Sequence, residues 1–168
     1  MRLFILILLP ILSIFLQSSV FSYFSIYGVF PDILLIFVVF YALLYKISAA
    51  TTYGFLCGLL EDLFVGSMIG ANALAKGVAA YVISRLQVQV FKENLLVGVL
   101  GVFIATFINS LIIILISLAA GKNILFNNAL LWGVSFQTLY NIVLAAPAYL
   151  IYHNSSRNGW LMLVRKDV

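Results

Sequence analysis

The sequence predicts an all-α integral membrane protein, a bundle of six transmembrane helices, and three observations carry that prediction. Of 168 residues, 65% are hydrophobic and only 8% charged, against roughly 25% charged in a soluble domain. Mean hydropathy is +1.20, and the apolar residues run in long blocks. Outer-membrane strands would instead alternate polar and apolar over about ten residues. The basic residues, lastly, sort to one side of those blocks. No water-facing surface can be built from this chain.

Residues 3–23 follow Arg2 as the first block. It exceeds the about 7–15 apolar residues of a signal peptide, and no small-x-small cleavage site follows, so it reads as a retained first span. Pro10 removes one backbone hydrogen bond there and bends the helix. Residues 22–30 are an aromatic connection holding Tyr23, Phe24, Tyr27 and Phe30, suited to the bilayer edge.

Pro31 and Asp32 open the second segment, 33–45. Proline fits a first helical turn, and an early carboxylate complements the positive end of the helix dipole. The segment is short against about 20 residues for a span. Snorkelling at Tyr45 and Lys46 with local thinning accommodates it; the alternative is a re-entrant piece. Residues 46–48 are a tight link into the third segment, 49–64. After a turn at 65–70 the fourth runs from about 72 to 86, and 87–94 is polar. The fifth helix is 95–120, its loop 121–128, and the sixth helix 129–152 with Pro147 near its end. A polar tail holds an amphipathic scrap at 160–164. The division is a transmembrane domain over 1–153 and a short cytoplasmic tail over 154–168.

With the amino terminus inside, the inner side carries Arg2, Lys46, Arg85, Lys92, Arg157, Arg165 and Lys166, and the outer side only Lys122. That is a strong positive-inside bias, and it places both termini in the cytoplasm. Dropping the short second segment would flip every later loop. The net charge of +4 is spread along the chain, so it does not mark a nucleic-acid surface.

Small or polar residues recur every fourth position. The third segment has Ala50, Gly54, Gly58, Asp62 and Gly66; the fourth Asn72, Lys76, Ala80 and Ser84. The fifth has Gly101, Ala105 and Asn109, and the sixth Gly133, Gln137, Asn141 and Ala145. Such stripes let helix backbones approach, and their polar members hydrogen-bond between helices. The expectation is that the four stripes face one another in the interior. Asp62 and Lys76 lie on opposite arms of the hairpin GFLCGLLEDLFVGSMIGANAL (54–74), so an ion pair near the outer side is expected. Glu61, turned by about 100°, is expected to snorkel outward. Asp32 reads as a helix-start charge at the interface, and Cys57 as a small packing residue.

Catalysis finds no support. There is no HExxH, GxSxG, CxxC or phosphate-cradling glycine loop, and the single histidine, His153, stands far along the chain from any carboxylate pair. No metal and no cofactor is expected.

Pro31-Asp32 before an apolar helix, then Gly-x-x-x-Gly-Leu-Leu-x-Asp…Gly-x-Asn-Ala-Leu over 54–74, resembles the bacterial rod shape-determining protein MreD family. Length and the amino-terminal span match as well. The motifs cover about 31–76; elsewhere the likeness is one of hydropathy and size. The resemblance implies a non-enzymatic, multi-pass subunit of the cell-elongation machinery in the cytoplasmic membrane. It implies the bitopic protein MreC as partner, with the RodA glycosyltransferase, a class B penicillin-binding protein and MreB filaments nearby. It implies a fold similar to the S components of energy-coupling-factor vitamin transporters. The matching positions are Pro31, Asp32, Gly54, Gly58, Asp62, Gly70 and Asn72, to which the physical argument adds Lys76. The alternative function is an S-component-like carrier of a small vitamin-type substrate, its cavity lined by Asp62, Asn72, Lys76, Asn109, Gln137 and Asn141.

Overall fold

Proline and aspartate ahead of an apolar run start a helix, and the second helix begins that way. Asp32 is its N-cap, the carboxylate Oδ1 accepting from the Leu35 backbone N–H at 2.8 Å. The computed structural model of the protein describes residues 2–19, 28–64, 68–87, 95–121 and 128–158. They form six α-helices: α1 Arg2–Ser19, α2 Ile33–Leu44, α3 Ile47–Phe64, α4 Ala71–Gln87, α5 Leu95–Ala119 and α6 Asn128–Asn158. The elements sit where hydropathy puts them. α3 starts two residues early because Ile47 and Ser48 already turn as helix, and α6 runs six residues further than predicted. The tail scrap at 160–164 lies outside the described residues.

Among the described residues, Leu95–Ala119 and Leu130–Tyr149 are long and apolar enough to cross a membrane. The outward faces carry large apolar side chains throughout, among them Phe15, Leu100, Phe107, Leu115, Leu131 and Val143. A surface of that kind belongs in lipid. The architecture is that of a helical membrane protein.

The arrangement differs from the expected ring of facing stripes. α2 stands in the middle and packs against α1, α3, α4, α5 and α6. Leu34, Leu35, Ile36, Val38, Val39, Phe40 and Ala42 are all buried. The stripes of α3 and α4 do meet each other, but that of α5 meets α2. A Cβ built on Gly54 would lie 2.7 Å from the Lys76 carbonyl and 3.2 Å from Val38, and one on Gly101 3.2 Å from Val39. Asn141 and Ala145 of α6 are buried, whereas Gly133 and Gln137 are half-buried; Gly66 is outside the described residues. The reason is physical. A helix apolar on every side is either central or bathed in lipid, and its sequence does not say which.

Tyrosine contacts close the bundle further. The Tyr53 hydroxyl of α3 donates to the Leu6 carbonyl of α1 at 3.2 Å, and Tyr41 stacks on both Tyr45 and Tyr53. Between α3 and α4 the chain turns at Gly70, whose φ of +97° is one that residues with a Cβ rarely adopt.

Candidate functional site

A buried polar network joins five helices. Lys76 of α4 is wholly enclosed, and its ammonium lies 2.7 Å from Asp32 Oδ2 and 2.5 Å from Glu61 Oε2. The first contact is an aligned hydrogen bond; the second is close but bent away from hydrogen-bond direction. Asp32 turns its other oxygen to the start of α2, and its own N–H donates to Asn141 Oδ1 of α6 at 2.8 Å. Asn141 Nδ2 then donates to Thr106 Oγ1 of α5 at 3.0 Å, and Thr106 donates on to the Val102 carbonyl. Glu61, Lys76, Asp32, Asn141 and Thr106 make one continuous chain.

This corrects three expectations. Lys76 pairs with Asp32 and Glu61, not with Asp62. Glu61 does not snorkel: it is 6% exposed and turned inward, because its α3 neighbours at that level are α2 and α4 rather than the bilayer edge. Asp32 is not at an interface either. Its partner Asn141 leads to Thr106, which lies 11 residues from one end of α5 and 13 from the other. At about 1.5 Å per residue both ends are some 17–20 Å away, so the network reaches the middle of α5, while Glu61 and Lys76 stand three and five residues from the ends of α3 and α4 that meet at their turn.

α2 therefore begins level with the middle of α5. Its 12 residues span about 18 Å, roughly half of the about 30 Å hydrocarbon layer. Residues 28–32 reach that start without helical structure, and Pro31 and Asp32 are buried. Non-helical backbone at such depth is tolerated where protein encloses it.

Asp62 has a different task. Its Oδ2 accepts from the backbone N–H groups of Gly70 (2.9 Å) and Ala73 (3.0 Å), and its Oδ1 from the N–H (3.1 Å) and side-chain amide (2.9 Å) of Asn72. The first N–H groups of a helix lack intrahelical partners, and here a carboxylate on α3 serves those of α4. Gly58 permits the close approach, since a Cβ there would overlap the Asn72 carbonyl. Asp62→Asn keeps the shape but offers one acceptor oxygen in place of two. Its expected cost is about 1–3 kcal/mol, read as a lower apparent Tm in detergent. Melting equal to that of the unmodified protein would remove Asp62 from the support of this hairpin.

Among known protein families, the model of the rod shape-determining protein MreD matches residues 1–154. The chain belongs to the MreD family. It is thus a rod shape-determining membrane component. No curated protein and no solved structure matches it. In this MreD family member the matching positions divide into two groups. Asp32 and Pro31, with Lys76, sit at the buried ion network; Asp62, Gly58, Gly70 and Asn72 build the α3–α4 turn. Gly54 lies between them, against α4 and α2. Glu61 as an ion partner, and Thr106, escape a reading by stripes, because each is one residue off its helix's four-residue repeat.

Proposed function

We propose that the chain crosses the bacterial cytoplasmic membrane six times with both ends inside, and serves as a non-catalytic subunit of the cell-elongation complex. In this reading it binds MreC and helps position peptidoglycan synthesis beside RodA, a class B penicillin-binding protein and MreB. The observation that carries it is the family match over nearly the whole chain. The asymmetry of basic residues supports the topology, with the non-helical residues 28–32 completing the crossing that α2 leaves half made.

Binding without turnover is supported by how the interior polar groups are used. Asp32, Asp62, Lys76 and Asn141 are occupied by one another and by backbone N–H groups. A vitamin carrier of the S-component kind needs such groups turned toward a ligand. The outward apolar faces are then the working surfaces.

Photo-crosslinking side chains placed at exposed Phe55, Phe107 and Leu139 in growing cells test this. The expected adduct is MreC from at least one face. Adducts with an energy-coupling ATPase pair, or none with any elongation protein from all three faces, would sink the reading.

A further inference from the structure

We propose that the Asp32–Lys76–Glu61 triad binds one proton beyond those of the ammonium, held on Glu61, so that the triad is electrically neutral. The inference rests on internal geometry and stands apart from the assembly reading.

Charge is the first argument. Two carboxylates share a single ammonium, and the three side chains are 5%, 8% and 0% exposed for Asp32, Glu61 and Lys76. Asp62, next to Glu61, is served by four N–H donors and supplies no positive charge. Among the described residues nothing else ionic faces the triad. Tyr41 of α2 stacks on Tyr53, more than two turns from Glu61, and α3 adds Cys57 one turn below Glu61. At this level α5 brings Thr106 and Asn109, α6 brings Asn141 and Tyr140, and the described side chains of α1 include no ionisable group. With both carboxylates ionised, a full negative charge would be left inside the apolar interior. Uncompensated charge there is far costlier than a bound proton.

Geometry then chooses the seat. The Asp32 carboxylate accepts from Leu35 N–H and from Lys76, and it caps the positive end of α2. Both its oxygens are held by donors that favour the anion. The one contact shown for Glu61 is the bent approach to Lys76. A protonated Glu61 needs no second cation. Lys76 and Asp32 then form the single ion pair, and the proton comes from water with no other co-reactant.

Infrared spectroscopy of the purified full chain in lipid nanodiscs at neutral pH tests this. The chain has only two glutamates, Glu61 and Glu93, which makes isotope labelling decisive without altering the core. The expected result is one carboxylic-acid C=O band per chain that shifts with ¹³C-labelled glutamate and persists in Glu93→Gln. Absence of the band, its loss in Glu93→Gln, or a shift only with labelled aspartate would overturn the proposal. A second readout is Glu61→Gln, which copies the protonated acid and is expected to melt with the wild type. A melting loss as large as that of Lys76→Met would count against it.

Discussion

Lys76→Met is expected to destabilise the protein by about 3–5 kcal/mol, the cost of removing one partner from a buried ion pair. Methionine fills much of the lysine stem's volume, so the loss comes from charge. Asp32 keeps the Leu35 N–H but loses its cation in a site closed to water. The measurement is apparent Tm and folded yield in mild detergent, where a fall of about 10 °C or more is expected. Asp32→Asn added to Lys76→Met removes the orphaned charge and is expected to recover a large part of the loss. If the double variant melts no higher than the single one, charge pairing is not what Lys76 contributes. Partner association in cells should follow the same order, since the outward faces are only as well placed as the helices that present them.

Gly58→Ala has the other large expected effect. Its new Cβ overlaps the Asn72 carbonyl and falls 2.7 Å from the Ala73 Cα. Those atoms are backbone, so no side-chain rotation relieves the clash and α3 and α4 have to part. Overpacking usually costs about 1–3 kcal/mol; a rigid neighbour puts this change at or above the upper end. Parting the helices also draws Asn72 and Ala73 away from the Asp62 carboxylate. Gly77→Ala is the matched control, because its Cβ would meet Phe55 at 3.4 Å, an ordinary contact. That variant should melt at or above wild type, given the better helix propensity of alanine. Equal melting for both would mean that the α3–α4 approach tolerates a methyl group.

The helices, their order and the Asp32 cap are legible in the sequence because each rests on neighbours within a few residues. Composition marks the lipid-facing class, and Pro-Asp marks a helix start. The pairing of Lys76 is not legible in this way. Asp62 lies on the repeat that runs through Gly54 and Gly58, so the stripe nominates it. The repeat identifies the face toward α4, and Asp62 does meet α4, but at its first turn rather than at Lys76. Glu61, about 100° around the helix, looks toward the start of α2 instead. What decides between the two carboxylates is where α2 begins, and that depends on contacts between residues 44 and 109 positions apart. Local pattern holds no record of such distances.

The central place of α2 bears on how freely each part of the chain can drift over generations. A residue on the outward face of α5 or α6 packs on no other helix of the chain, so as far as folding goes an apolar side chain of similar bulk serves there. Val38 and Val39 answer to several helices at once, in an interior where one methylene is felt. The plainest stretch of the protein, Ile33–Leu44, with no charge, glycine or proline in it, is therefore where replacements should be tolerated least. A saturation library sorted by folded yield should come back nearly blank along α2 and crowded with survivors along the outer stripe of α5.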